Sequence, residues 1–271
     1  MRIGIFAKTF AGSDPLTVMR AAKAAGYDAV QYNLACSGLE PVPLSVPEGV
    51  AEAVARAAAE TGVAVAALSG TVNIAHPDAA QRADAVARLC AVIRVAPRMG
   101  AGMVTLCTGS RDAGDQWRAH PDNTSAEAWA DMRAGMEAAC AVAEEMGVRL
   151  GIEPELGNVV IDAAAARRII DELGSPAPAV VLDPANLFEV AADRDKIIAR
   201  AVDLLADRIV MAHAKDRDAG GGFVAAGTGV VDFPAFVARL RAAGFDGDMV
   251  THGLTAAEAP GVARFLRGIA G

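Results

Sequence analysis

The sequence lacks the features that mark several large classes of protein. It has no run of lysine or arginine, and its 33 acidic residues outnumber its 25 basic ones, which gives a formal charge of −8. A chain of this charge repels a nucleic-acid backbone on average, so we expect no nucleic-acid partner. It also has no apolar stretch long enough to cross a bilayer, so we expect no membrane partner.

Cysteine pairs and targeting segments are missing too. The four cysteines stand far apart, without the CxxC spacing of a structural zinc site or the density of a disulfide scaffold. The first residues enter a strand-like apolar run at once, without the basic start and cleavage site of a signal peptide. We therefore expect a cytoplasmic protein with reduced thiols.

Several well-known catalytic signatures are absent. The chain contains no P-loop, no serine nucleophile elbow and no HExxH zinc motif. Any chemistry must therefore be inferred from where polar residues stand relative to the predicted strands.

The sequence does contain a regular alternation of strands and helices. Residues 78–99 place apolar side chains on one face of a 3.6-residue period, and residues 232–242 do the same. Patterns of this kind follow short apolar runs that are typical of buried parallel strands. The runs lie at residues 2–7, 28–32, 63–69, 102–107, 148–152, 179–182, 208–212 and 248–251.

Glycines separate many of these units. A helix often ends in a left-handed residue, which is usually glycine, and such glycines stand shortly before several predicted strands. They are Gly26, Gly62, Gly100, Gly147, Gly174 and Gly244. Eight strand and helix units without a long linker predict an α/β fold, a (β/α)8 TIM barrel, as one domain over residues 1–271. An open, doubly wound sheet shares much of this pattern and remains the alternative.

Four ligand-type residues follow four of the predicted strands directly: Glu153, Asp183, His213 and His252. Closure of a parallel barrel brings such strand ends around one axis. Carboxylates together with imidazoles suit Mn²⁺, Zn²⁺, Co²⁺ or Fe²⁺, so the pattern predicts one divalent metal site. The simpler interpretation of any one of them is a helix cap, as for Asp183 before Pro184.

Long loops after the predicted strands, at 33–46, 70–77, 108–123 and 214–231, should gather at the catalytic face. In the third of them, Trp117 could form an apolar wall against a substrate ring or anchor the loop on the rim. Arg111 and His120 could contact the same substrate.

Other polar residues near predicted strand ends are further candidates. His76 is a possible acid, base or substrate donor. Lys8 and Lys215 offer positive charge to a substrate oxyanion or phosphate, although solvated lysines are the alternative. Glu155 could act as a second carboxylate if its side chain turns inward.

Several strings resemble the sugar phosphate isomerase/epimerase family, within the xylose isomerase-like TIM barrel superfamily that also includes endonuclease IV. The resemblance covers essentially the whole chain and is most specific from 150 to 253. The strings are GIEPE at 151–155, LDPANL at 182–187, AHAKD at 212–216, GTGVVDF at 227–233 and GFDG at 244–247.

The resemblance implies one divalent ion, often manganese, held by Glu, Asp, His and a final Glu. Glu153, Asp183 and His213 match these positions, but His252 stands where the last glutamate is usual. Proton transfer by two glutamates therefore cannot be carried over unchanged. Asn186 replaces a histidine that many relatives have, which argues against a second ion and the endonuclease branch and leaves Asn186 as a substrate contact.

Together, residues and resemblance predict a metal-dependent isomerase or epimerase that acts on a sugar, keto-sugar or inosose through an enediolate-type intermediate. Its ion is expected to be Mn²⁺, with Zn²⁺, Co²⁺, Fe²⁺ and Mg²⁺ as the other candidates. The expected catalytic groups are Glu153, His252, Glu155 and His76.

Three other functions stay open. A lyase or dehydratase would eliminate a β-substituent from an oxidised sugar of the 3-oxo-glycoside type. A sugar-binding barrel would lack catalysis, and an endonuclease IV-like enzyme would act on DNA. A homo-oligomer is also open.

Overall fold

Eight parallel strands form a closed ring in the computed structural model, which describes residues Met1–Gly271. A ninth strand lies outside the ring. The strands are β1 (Ile3–Phe6), β2 (Ala29–Tyr32), β3 (Ala64–Ser69), β4 (Met103–Leu106), β5 (Arg149–Ile152), β6 (Pro178–Leu182), β7 (Ile209–Arg217), β8 (Phe223–Ala225) and β9 (Asp248–Thr251).

Strand pairing decides between a barrel and an open sheet. Neighbours in sequence pair from β1 to β7, and the ring closes because β9 pairs in parallel with both β7 and β1. None of the eight strands has a free edge, as an open sheet would require. The TIM barrel prediction is confirmed, and the doubly wound alternative is wrong.

Eight helices surround the barrel. Their bounds are α1 (Pro15–Ala24), α2 (Val50–Thr61), α3 (Ala79–Val95), α4 (Ala126–Met146), α5 (Ala163–Leu173), α6 (Arg194–Leu205), α7 (Phe233–Ala242) and α8 (Ala259–Ala270). The six glycines predicted to end helical segments all have positive φ angles, between 59° and 95°, which confirms their role. None of these helices combines the length and apolar character needed to cross a bilayer.

The hydrophobic core has two parts. A cluster of 70 buried residues fills the layer between helices and strands. A separate cluster of five residues lies on strands β3, β4, β6, β7 and β9. Its members are Ala67, Met103, Val181, Met211 and Val250. A Cβ atom on Gly151 would lie 2.7 Å from Val181 Cγ2, so this interior is filled and has no room for another side chain. All four cysteines are buried and unpaired, as expected.

One strand is longer than its sequence pattern indicates. The other seven predicted runs match their strands to within one residue at each end, but β7 continues to Arg217 instead of ending near 212. Its extension pairs antiparallel with β8, Lys215 opposite Ala225 and Arg217 opposite Phe223. The prediction that 214–231 is one connecting loop is therefore wrong, and His213 lies within a strand rather than just after it.

Candidate metal centre

The four ligand-type residues form one layer of the barrel interior. Side chains two residues apart on a strand point to the same face. Val181, Met211 and Val250 belong to the interior cluster, and Gly151 packs against it. Each of these residues stands two positions before one of the four ligand-type residues. The next interior layer, at the carboxyl ends of these strands, therefore consists of Glu153, Asp183, His213 and His252.

These side chains make two hydrogen-bonded pairs. His213 Nδ1 lies 3.1 Å from Glu153 Oε1, and His252 Nε2 lies 3.0 Å from Asp183 Oδ2. The imidazole rings meet edge to face with centroids 4.7 Å apart. Glu153, Asp183 and His213 are buried, whereas His252 is partly exposed.

Their charges support one another despite burial. Burial opposes ionisation of Asp183, but Lys215 and His252 outweigh it and hold the pKa of this carboxyl well below its usual value. Burial likewise opposes charge on Glu153 and His213, but their mutual attraction lowers the pKa of the glutamate and raises that of the histidine. Burial lowers the pKa of His252. Both carboxylates are thus ionised and available as ligands.

The set is of the right size and chemistry for a divalent ion. One donor atom from each of the four residues lies within 4.8 Å of the others. Donors that share an ion at about 2.0–2.2 Å lie within about 4.4 Å of each other, so only a small contraction is needed. Two carboxylates with two imidazoles suit Mn²⁺, Zn²⁺, Co²⁺ and Fe²⁺.

Asn186 connects this cluster to a lysine. Its Nδ2 donates to Glu153 Oε1 at 2.7 Å, and its Oδ1 accepts from Lys215 Nζ at 2.6 Å. Lys215 Nζ also lies 3.5 Å from Asp183 Oδ2. The predicted substrate contacts Asn186 and Lys215 therefore also bridge the two carboxylates.

A cavity of about 900 Å³ opens above the cluster. Lys8 and the half-exposed rings of Trp117 and Phe223 line it together with Glu155. The Glu155 carboxylate lines this cavity without a hydrogen bond to the protein, and burial raises its pKa to about 7. Most of the residues that line this cavity have polar side chains, which suits a polyhydroxylated ligand.

Three asparagine side chains hold the loops around Trp117 through hydrogen bonds to the backbone. Asn73 and Asn123 accept hydrogen bonds from the backbone of Ser110 and Arg111, and Asn158 accepts from Gly109. Their amide groups donate to the carbonyls of neighbouring loops, including Asn158 to Gln116. The loop is thus fixed by its backbone, and the Trp117 ring stays half exposed at the cavity.

Three of the predicted substrate or catalytic residues lie elsewhere. His76 faces a neighbouring depression, where its Nδ1 accepts from Asp78 and its Nε2 lies 3.3 Å from Ala113 O. Arg111 is buried against Asp131 at 2.6 Å. His120 Nδ1 accepts from the backbone of Asp122 and does not line the cavity. None of the three lines the cavity above the cluster.

Some residues at the site were missed from the sequence. Gln31 contacts His213, and Arg217 and Phe223 line the cavity next to Lys215. Gln31 could have been found from the sequence, because it is a glutamine inside an otherwise apolar strand pattern. Phe223 left none, because β8 has only three residues, and Arg217 left none, because it lies beyond the apolar run of β7.

Known proteins share this architecture. The chain is 19% identical to 3-keto-D-glucoside 4-epimerase from E. coli, with 99% of each chain covered and a TM-score of 0.80. It is 20% identical to L-ribulose 3-epimerase, covering 99% of this chain and 94% of that one, with a TM-score of 0.78. A D-psicose 3-epimerase is 15% identical over the full length of both chains, with a TM-score of 0.76. At such low identity these similarities show a common fold.

No curated protein sequence matches the chain significantly. The model of the xylose isomerase-like TIM barrel family, in contrast, matches residues 19–266. This match covers most of the chain and includes all four strand-end residues. The chain therefore belongs to the xylose isomerase-like TIM barrel family.

Proposed function

We propose that this protein is a divalent-metal-dependent isomerase or epimerase acting on a sugar, keto-sugar or inosose through an enediolate-type intermediate. The observation that carries the proposal is the layer of two ionised carboxylates and two imidazoles beneath a cavity lined mostly by polar residues. Similar folds that are named as sugar epimerases support it.

Glu153, Asp183, His213 and His252 would hold the ion, with Mn²⁺ as the expected metal and Zn²⁺, Co²⁺, Fe²⁺ or Mg²⁺ as alternatives. When bound, the ion supplies Lewis-acid charge that stabilises negative charge on two adjacent substrate oxygens.

Proton transfer is assigned to groups that border the cavity. Glu155 has a carboxylate without a protein partner, and His252 is the most exposed of the four ligand-type residues. We assign to them the removal of the proton next to the carbonyl and its return at another face or carbon. Glu153 is less free to do this, because His213 and Asn186 both bond its Oε1.

Substrate orientation is assigned to the remaining lining residues. Lys215 and Lys8 place positive charge beside the cavity, and Asn186 offers an amide at its base. Trp117 and Phe223 provide aromatic surfaces on which the apolar face of a sugar ring can lie.

A lyase that eliminates a β-substituent is the second candidate. The observation that favours it is His252, which stands in place of the second glutamate on which the epimerisation of ketoses depends by resemblance. The same proton removal followed by loss of a leaving group would give elimination instead of epimerisation.

Product analysis in deuterated water tests these alternatives. The Mn²⁺-loaded protein is incubated with 2-keto sugars, 3-oxo-glycosides and inososes, with metal-stripped protein as the control. Deuterium incorporation with an intact carbon skeleton and no elimination is the result expected for the isomerase. An unsaturated product would support the lyase, and binding without exchange would support a barrel that only binds sugar.

The endonuclease alternative has a separate test. Cleavage of DNA containing an abasic site would contradict the proposal, whereas absence of binding at low salt would remove this alternative.

A further inference from the structure

Gln31 is a buried polar residue in the barrel interior. It belongs to β2, where only 6% of its surface is exposed, and it is the one polar side chain in a strand that otherwise reads Ala, Val and Tyr. Its Oε1 lies 2.8 Å from His213 Nε2, and its Nε2 lies 2.9 Å from Thr105 Oγ1. A buried amide is tolerated only when its hydrogen bonds are satisfied, and here both ends are bonded.

Thr105 sets the direction of this chain of hydrogen bonds. Thr105 is buried, with 1% of its surface exposed, and its hydroxyl oxygen lies 3.5 Å from the carbonyl oxygen of Leu68. The hydroxyl oxygen accepts from Gln31 Nε2 at 2.9 Å, and Leu68 O is an acceptor to which its own proton can turn. The amide oxygen of Gln31 is then turned to His213, whose Nε2 donates to it at 2.8 Å.

This arrangement leaves Nδ1 as the nitrogen of His213 that faces the candidate metal centre, 3.1 Å from Glu153 Oε1. An imidazole binds a metal through one nitrogen and usually donates from the other to a fixed acceptor, which sets the ring orientation and raises its basicity. His252 has no comparable partner, since its one hydrogen bond is to Asp183 within the cluster.

We infer that Gln31, held by Thr105, is a positioning residue that presents Nδ1 of His213 to the metal ion. The inference rests on the metal site of the proposed function, but it concerns a residue outside the ligand set. What matters at position 31 is an acceptor that faces Nε2. A glutamate there still accepts a hydrogen bond, whereas a leucine of similar size does not.

Metal affinity distinguishes these side chains. Mn²⁺ alone is titrated into wild type, Gln31→Leu and Gln31→Glu. The matched control is Gln81→Leu, at an exposed position of helix α3. Loss of a partner of this kind weakens metal binding by about 10–100-fold, which is the result expected for Gln31→Leu. For Gln31→Glu and for the control, the Mn²⁺ affinity should fall by no more than about threefold relative to wild type.

Two results from the variants would overturn the inference even if wild type binds Mn²⁺. One is Gln31→Leu binding Mn²⁺ as tightly as wild type. The other is Gln31→Glu binding as weakly as Gln31→Leu, since that would mean that Gln31 acts as a donor. If wild type itself bound no metal, the metal site and the inference would both fall.

The wild-type protein provides a test that does not depend on a variant folding. In Zn²⁺-loaded, ¹⁵N-labelled protein, long-range ¹H–¹⁵N correlations should show the His213 ring proton on Nε2 and the metal on Nδ1. The reverse assignment would refute the inference. This measurement does not depend on sugar turnover. A protein that shows the proton on Nε2 and the metal on Nδ1 but converts no sugar would contradict only the proposed function.

Discussion

His252 occupies the position at which the family resemblance implies a glutamate. Its Nε2 lies 3.0 Å from Asp183 Oδ2, so the position faces a carboxylate directly. A second carboxylate there would repel Asp183 unless a cation lay between them. An imidazole avoids this repulsion and still offers a ligand nitrogen.

We predict different effects for two substitutions of His252. His252→Ala should weaken Mn²⁺ binding at least about tenfold, because a ligand is lost. His252→Glu should keep Mn²⁺ binding close to that of wild type but melt at a lower temperature when metal is removed. Isothermal titration and thermal melts with and without chelator measure both effects. Unchanged Mn²⁺ affinity in His252→Ala would contradict a ligand role.

Glu155 should affect catalysis without affecting metal binding. Its carboxylate lines the cavity but is not one of the four clustered donors. Glu155→Gln is therefore expected to lower kcat by about 10²–10⁴-fold, as for loss of a general acid or base, with Mn²⁺ affinity unchanged. Glu145→Gln, on the exposed side of α4, is the matched control. Full activity in Glu155→Gln would remove it from the mechanism.

Among the elements, the loop after β8 depends on one buried carboxylate. Asp216 Oδ2 accepts from the backbone of Gly227 and Gly229, and its Oδ1 accepts from Val231 and Arg217. A Cβ on Gly229 would lie 2.1 Å from the carbonyl of Arg217, so the loop packs closely against β7. This loop carries the chain from the hairpin back to helix α7.

Asp216→Ala should therefore destabilise the fold by about 3 kcal/mol, because several buried backbone donors lose a charged acceptor. Asp218 provides the comparison, since it accepts from Gly220 and Gly222 in the exposed hairpin turn. Its substitution by alanine should have a much smaller effect. Urea unfolding monitored by circular dichroism measures both. Equal losses for the two variants would contradict the role given to Asp216.

The barrel could be predicted because its strands and helix ends leave local signals. Each buried strand is a short apolar run, and each glycine at a helix end has a left-handed backbone that few other residues adopt. The hairpin could not be predicted in this way. β8 has three residues, and beyond its apolar run β7 pairs with β9 at His213 and Ala214 and with β8 from Lys215 to Arg217.

The grouping of the candidate site could be predicted for the same reason. Glu153, Asp183, His213 and His252 end apolar runs, and barrel closure brings strand ends together. Loop residues could not be placed, because the fold of a loop depends on contacts distant in sequence. His76 and Arg111 look like site residues in the sequence, yet they are turned to Asp78 and Asp131.

For the whole molecule, metal binding should appear as added stability. A ligand that binds only the folded state at about 100 times its Kd contributes about 2.7 kcal/mol. For a chain of this size we expect Tm to rise by about 5–10 °C with Mn²⁺ and to fall again with chelator. Asp183→Ala should show no such shift. A melting temperature that is insensitive to metal in wild type would argue against a folded-state site.

The central claim is that one divalent ion is held by Glu153, Asp183, His213 and His252. The most direct test is a Mn²⁺ titration followed by the paramagnetic resonance signal of free Mn²⁺, with circular dichroism to establish that each variant is folded. We predict one tight site per chain in wild type and its loss in Asp183→Ala and His213→Ala. Absence of a tight site in wild type, or its persistence in both folded variants, would contradict the claim.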